Sequence, residues 1–339
     1  MFKGLYTALI TPFDELGNLD LISLEKLIKI QLAARVDGII LFGTTGEGMT
    51  LTQEEKNEVV KLVLELVQKL SLEERHLING KPYKPQIIVG TGTNCTKTTI
   101  EQSLAAQKLG ADAVMIVTPY YNRPSQEGLY RHYLAINEAL NLPIMLYNIP
   151  SRTGVNLEDI TLIRLIRLSN VKSLKDYDSL RPIRLFLDWK KEQIDLEEKN
   201  ILKPEDAFLQ EATSQYELFL AACSNNFTIL AGDDVNSLSI HVNGGHGTVS
   251  VASNLVPKIA VELQESARSF KMKKAQALHA YLHPLYQSLF CEVNPVPVKY
   301  AAYKMGLIKT PRVRQPLYPL ANINKEELDR VLKSYGLTS

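Results

Sequence analysis

Short apolar runs alternate with longer amphipathic ones along this chain, and the alternation repeats eight times. The strand-like runs lie at 5–10, 38–42, 86–90, 113–118, 143–147, 171–175, 228–231 and 247–251. Helical periods follow them at 21–34, 52–70, 96–109, 126–140, 157–168, 215–223, 236–243 and from 255 onward. The strand-like runs show little even–odd alternation, which marks strands buried on both faces, as in parallel sheets. Parallel neighbours need a long crossover between them, and the helical periods supply it. The expected fold is therefore α/β, a (β/α)8 TIM barrel over 1–268. An open doubly wound sheet is the other arrangement of the same units. The region 269–339 carries no strand signal and reads as added C-terminal helices.

Two stretches interrupt the rhythm. Residues 71–85 form a polar extension between the second helix and the third strand, on the face of a barrel remote from its chemistry. Residues 178–209 form a charged insertion directly after the sixth strand, and loops this long are functional, or separately folded or mobile inserts. Local chemistry agrees with the helix starts: Thr52 followed three residues later by Glu55 is a capping box.

Composition excludes several function classes. Lys+Arg 38 against Asp+Glu 37 leaves a formal charge of +1, without the basic excess that a nucleic-acid or anionic-membrane surface requires. No window approaches the length of a membrane-spanning apolar run, and the start enters a strand-like run with no signal-peptide pattern. The three cysteines are scattered and lack metal-ligand spacing, which fits reduced thiols and a cytoplasmic location. His279 and His283 have the i, i+4 spacing of zinc ligands but no companion glutamate or third ligand, so they read as core or surface histidines.

The sixth strand ends in Lys175-Asp176. A lysine at the inner end of a buried strand is costly unless neutral or paired. An ordinary amine, with a pKa of about 10.4, is too basic to attack a carbonyl at neutral pH, and burial lowers that value. A Schiff-base lysine is one reading, and a lysine whose stem snorkels to solvent is the other. Other strand ends carry polar clusters. The glycine-rich turn 43–48 offers Thr44 and Thr45 as hydroxyl and amide donors, although such a turn alone is weak evidence. Tyr120 and Tyr121 lie between prolines and fit interface packing as well as chemistry. Tyr147 ends the fifth strand, where a phenol can relay protons, and Arg152 in the loop beyond it can bind a carboxylate in bidentate fashion. Asp233 and Asp234 follow the seventh strand and can be a plain turn.

Taken together, GTTGE (43–47), TPYYNRPSQEGLY (118–130), LYNIPSRTG (146–154), Lys175-Asp176, AGDD (231–234), GGHGTVSV (244–251) and NPVPVK (294–299) occur in one fixed order. The chain resembles the class I pyruvate-dependent aldolases of the dihydrodipicolinate synthase / N-acetylneuraminate lyase family, most closely the synthase branch. The resemblance covers nearly the whole chain apart from the two extensions. It implies that Lys175 forms an imine with pyruvate and that Tyr147 transfers protons, linked through Thr44 to Tyr121. It also implies that Thr45 holds the pyruvate carboxylate, that Arg152 receives the carboxylate of aspartate semialdehyde, and that the backbone of Val249 and Gly232 lines the pyruvate pocket. Tyr121 would cross a tight dimer interface of a homotetramer, a dimer of dimers. No cofactor and no metal are implied. The reaction so implied is an early step of diaminopimelate and lysine biosynthesis. The same lysine and tyrosine would also serve an N-acetylneuraminate or 2-keto-3-deoxy sugar acid lyase, and a non-catalytic keto-acid-binding barrel is a further alternative.

The chain departs from the family pattern in two places. Asp176-Tyr177-Asp178-Ser179 stands where Glu-Ala-Ser/Thr-Gly is usual, while Glu211-Ala212-Thr213 follows the insertion. Aligning Glu211 with the family glutamate would place Gln210 at the lysine position and leave the protein inert. Lys175 is preferred because it ends an apolar strand, whereas residues 203–206 do not read as strand. Lysine-inhibited relatives carry a histidine and a glutamate where this chain has Gln53 and Thr98, beside Asn94 and Tyr120. The resemblance thus implies weak or no inhibition by lysine.

Overall fold

The computed structural model of the chain describes residues 2–70, 77–78, 81–177 and 227–338. Eight parallel strands close into a barrel: β1 (Gly4–Ala8), β2 (Gly38–Leu41), β5 (Gln86–Gly90), β6 (Ala113–Val117), β7 (Ile144–Asn148), β8 (Val171–Asp176), β9 (Thr228–Ala231) and β10 (Gly247–Ser250). Each pairs with its sequence neighbour in the ring, and β1 bonds both β2 and β10 to close it. The (β/α)8 barrel expected from the alternation is the observed one.

Side chains alternate across the barrel wall. Tyr6, Ile40, Met115, Met145, Tyr147 and Val249 point inward and form one apolar cluster. Leu5, Ile39, Val114, Leu146, Leu174 and Ile229 point outward into a larger cluster beneath the helices. A strand wetted on neither face explains why the sequence shows no period of two. The tightest part of the wall is the closing seam. A Cβ on Gly247 would lie 2.1 Å from the Gly4 carbonyl oxygen, so only glycine lets β10 approach β1 there.

The observed elements correct the sequence reading in three places. The polar extension contains a separate antiparallel pair, β3 (Leu77–Ile78) and β4 (Lys81–Pro82), too short to show a periodic pattern. The helix expected over 157–168 is Asp159–Ile166, with Glu158 and Arg167 as its caps, and a separate short helix, Pro150–Thr153, precedes it and ends at Gly154, where φ is 74°. The period at 236–243 yields only Ser239–Val242. The charged insertion at 178–209, the helical period at 215–223, Gln210 and Glu211 lie outside the described residues.

Beyond the barrel, Met272–Ser288, Val296–Lys304 and Asn322–Ser334 are helices. They are tied back to the second strand's loop. Glu55 closes the expected capping box with Thr52 (Glu55 N to Thr52 Oγ1 3.2 Å, Thr52 N to Glu55 Oε2 2.9 Å) and also takes both arms of Arg314, at 2.8 and 2.5 Å. Arg314 thus bonds a helix N-terminus whose carboxylate already suits the helix dipole. No helix among the described residues is long and apolar enough to cross a membrane.

The seam makes a direct prediction. Gly247→Ala forces β10 off β1 and should destabilise the protein by roughly 1–3 kcal/mol, read as a lower urea midpoint at unchanged slope. An unchanged midpoint would show that the seam has slack.

Candidate active site

The site is built on the pairing of β7 with β8. Their register slips between Ile144 and Met145: Ile144 faces Val171, but Met145 faces Ser173. One extra residue, Lys172, is thereby accommodated in β8, and such a bulge re-aims every side chain beyond it. Tyr147 consequently lies opposite Lys175, and both side chains point into the barrel mouth. Lys175 is 6% exposed, with its Nζ 4.1 Å from the centroid of the Tyr147 ring.

Burial pushes the Lys175 amine down to about 7; Arg152 adds to this, while Asp233 and Asp234 oppose it. A large share of the amine is therefore unprotonated near neutrality, as a nucleophile requires. The Tyr147 hydroxyl moves the other way. Burial raises it to about 12, against the lowering effects of Arg152 and of a hydrogen bond with the Thr44 side chain. Tyr147 is thus a neutral phenol hydrogen-bonded with the Thr44 side chain.

Thr44 and Thr45 sit in the turn that follows β2. Gly43 O accepts from Gly46 N at 3.1 Å and from Gly48 N at 3.3 Å, and Thr44 O accepts from Glu47 N at 3.1 Å. The fold leaves Phe42 and Glu47 in left-handed conformations, at φ 59° and 49°. Thr45 is buried, and its hydroxyl accepts from Asn294 Nδ2 at 2.9 Å. A cavity of about 320 Å³ opens over this turn; Thr44, Tyr147, Arg152, Asn294, Met115 and Tyr120 are among its walls.

Most of the residues expected from sequence are brought together. Lys175, Tyr147, Thr44 and Arg152 interact directly or electrostatically. Gly232 lies beside the end of β8, its N–H donating to Asp176 O at 2.8 Å. A Cβ there would meet that oxygen at 2.8 Å, so the close approach needs glycine. Val249 lies in the inward cluster that contains Tyr147. Tyr121 is not brought to the site within one chain. It stands 87% exposed at φ 73°, its N–H 3.4 Å from Thr153 O.

Several participants were not singled out from sequence. Asp233 is half-buried and interacts electrostatically with Lys175, and desolvation raises its carboxyl. Asp234 is no plain turn residue: it accepts from Ser250 Oγ (2.5 Å), Val251 N (2.8 Å) and Ala252 N (2.9 Å), tying the end of β10 to β9. Burial raises its carboxyl to about 6. Two adjacent carboxylates at a strand end were the available signal. Asn294 and Lys299 were visible only as parts of a motif, since nothing local shows that they return to the barrel mouth. His279 Nδ1 lies 3.2 Å from Ser237 Oγ, a helix-packing contact. Among the described residues, no three His, Cys, Asp or Glu side chains are grouped to hold a metal.

Comparison with known proteins gives a consistent result. The profile of the dihydrodipicolinate synthetase family matches residues 1–184 and 209–335. The unmatched stretch falls within the charged segment after β8. The 4-hydroxy-tetrahydrodipicolinate synthase of Protochlamydia amoebophila is 39% identical over 330 residues, covering 97% of this chain and 95% of its own. That of Fervidobacterium nodosum is 38% identical over 339 residues, covering 100% of both. The crystal structure of dihydrodipicolinate synthase from Thermotoga maritima superposes with a TM-score of 0.82 at 37% identity, covering 99% of each chain.

The buried amine carries a stability cost with a defined pH window. Its folded-state pKa, about 7, lies below the ordinary 10.5, so the penalty is full below about pH 7 and disappears as pH rises towards 10.5. Lys175→Met should therefore raise stability by a few kcal/mol at about pH 6, with the gain shrinking in alkali. Denaturation midpoints across pH measure this, and a destabilised variant at low pH would contradict the buried-amine assignment.

Proposed function

The chain belongs to the dihydrodipicolinate synthetase family, and we propose that Lys175 carries its reaction, the condensation of pyruvate with aspartate 4-semialdehyde to 4-hydroxy-tetrahydrodipicolinate. The carrying observation is a lysine amine whose pKa burial lowers to about 7, packed against a tyrosine that is hydrogen-bonded to Thr44 of the loop after β2. This is the equipment of a class I aldolase. The reaction belongs to the route to diaminopimelate and lysine.

The steps follow from the groups present. Neutral Lys175 attacks the pyruvate ketone, and the carbinolamine loses water to give a protonated imine. The cationic nitrogen draws electrons, so a methyl proton is released to the Tyr147–Thr44 relay and an enamine remains. The enamine carbon bonds to the aldehyde carbon, and the relay returns the proton to the new alkoxide. The amino group of the four-carbon partner then displaces Lys175, closing the ring and freeing the enzyme. Thr45 and the turn amides hold the pyruvate carboxylate, Arg152 holds the carboxylate of the second substrate, and the backbone of Val249 and Gly232 borders the pyruvate. The chemistry needs no electron sink beyond the imine itself.

Tyr121 fits the same scheme only through a second copy. A tyrosine 87% exposed in a left-handed conformation has a use if a neighbouring subunit buries it. In this reading Tyr121 completes the partner's proton relay within a homotetramer built as a dimer of dimers.

The test is borohydride reduction in the presence of pyruvate followed by peptide mass mapping. A pyruvyl adduct should appear on Lys175, and its rate of formation should rise with pH to a half-maximum near 7. An adduct on another lysine, or a midpoint close to the ordinary lysine value, would overturn the assignment.

Inhibition by the pathway's end product gives a second test. The positions of Gln53 and Thr98 supply no carboxylate for a lysine ammonium, and a desolvated ammonium without an anion is unfavourable. Free lysine at millimolar concentration should leave turnover essentially unchanged. Half-inhibition at sub-millimolar lysine would refute this.

A further inference from the structure

The turn that carries Thr44 and Thr45 is held in a conformation that its own residues disfavour. Phe42 and Glu47, neither of them glycine, adopt φ of 59° and 49°. Such strain persists only where the surroundings over-determine it. The three hydrogen bonds inside the turn are long, at 3.1 to 3.3 Å. The bonds arriving from outside are shorter, and most of them come from the far end of the chain.

Lys299 Nζ donates to Glu47 Oε1 at 2.7 Å and to Thr11 O at 2.9 Å, and Arg314 N donates to Glu47 Oε2 at 2.8 Å. Thr11 Oγ1 in turn donates to Gly46 O at 2.7 Å, and Asn294 Nδ2 donates to Thr45 Oγ1 at 2.9 Å. Thr45, Gly46 and Glu47 are therefore each gripped from the C-terminal region, directly or through Thr11. The ion pair itself is fully enclosed, with side-chain exposures of 0% for Lys299 and 1% for Glu47. The Lys299 ammonium lies 4.1 Å and the Arg314 guanidinium 4.3 Å from the centroid of the Phe13 ring, which closes the pocket around the pair.

A sequestered ion pair is a poor way to gain stability, because apolar residues of the same volume do as well or better. What it supplies is direction. Both carboxylate oxygens of Glu47 are occupied, so the residue has one orientation, and the turn is set with it. We propose that the Lys299–Glu47 pair is a positioning device for the Thr44–Thr45 turn, aiming the groups that bind the pyruvate carboxylate and relay its protons. This rests on the reading of the site given above. Lys299 is not among the walls of the cavity, and Glu47, which is, has each carboxylate oxygen already bonded, one to Lys299 Nζ and the other to Arg314 N. Both are positioning residues rather than catalytic ones.

The test is the double variant Glu47→Gln/Lys299→Met, which keeps volume and leaves no buried charge uncompensated. It should fold with a thermal midpoint near that of the unaltered protein. Its KM for pyruvate should rise and its kcat fall, each by about tenfold or more, while its KM for aspartate semialdehyde stays within about twofold, because Arg152 lies outside the turn. A merely structural role would not separate the two Michaelis constants. A folded double variant with unaltered kcat and pyruvate KM overturns the proposal. Should the double variant not fold, Glu47→Asp decides on the same constants, since it keeps the buried charges paired and only shortens the reach that sets the turn. Borohydride trapping of pyruvate by the unaltered protein is the control. An adduct on Lys175 with indifferent variants defeats only the positioning proposal, whereas no adduct at all defeats the functional reading and this proposal with it.

Discussion

The extra residue in β8 is the constraint on which the site depends. In a strand, one position more or less sends a side chain to the opposite face. With unbroken pairing from Ile144–Val171, Tyr147 would meet Leu174, and Lys175 would fall opposite Asn148. The slip at Lys172 instead sets Ser173 beside Met145 and Lys175 beside Tyr147, on the inward face. Leu174 then points outward into the helix layer, where an apolar side chain is wanted. A single backbone irregularity thus reconciles an apolar exterior for β8 with an amine in the mouth of the barrel.

Closure does the remaining assembly. A parallel ring delivers the ends of all eight strands to one rim, so residues far apart in sequence become neighbours without any local signal. Thr44 after β2, Tyr147 on β7, Lys175 on β8 and Asp233 after β9 meet on these terms. The rim is also where water is thinned out. Desolvation is the largest cause of the shifts at Lys175, Tyr147, Asp233 and Asp234, and the neighbouring charges only adjust it. Burial lowers the amine and raises the phenol, which leaves the phenol and a large share of the amine uncharged near physiological pH. That is the pairing a nucleophile and a proton carrier need.

The fold and much of the site were legible in the chain because they rest on local patterns. Double-sided burial of the strands, the capping box at Thr52 and the lysine ending an apolar run are all written within a few residues of where they act. What escaped was non-local. Nothing near Lys299 shows that its ammonium crosses the molecule to Glu47, and nothing near Asp234 shows that it receives the backbone of Val251 and Ala252. The hairpin formed by Leu77–Ile78 and Lys81–Pro82 is too short for periodicity to register. The slip in β8 was equally hidden, since VKSLKD reads as strand in either register. Tyr121 was legible as an unusual residue, but its role depends on a surface that a single chain does not supply.

Backbone strain gathers at the rim. Four of the six non-glycine residues at positive φ among the described residues, Phe42, Glu47, Tyr121 and Arg123, lie in the loops that leave β2 and β6 there, while Arg35 and Phe270 follow helix ends. At the base and along the seam, close approach is met by glycine instead, as at Gly4 and Gly247. Glycine relieves crowding but presents no side chain, so a loop that must present groups has to carry real residues in awkward conformations. Those residues need outside support in proportion. For Glu47 the support is the C-terminal region, acting through Lys299 and Arg314, with Asn294 holding Thr45 two residues before it. The helices added after the barrel are therefore part of the machinery at its mouth. They hold in place a turn that the barrel alone would let relax.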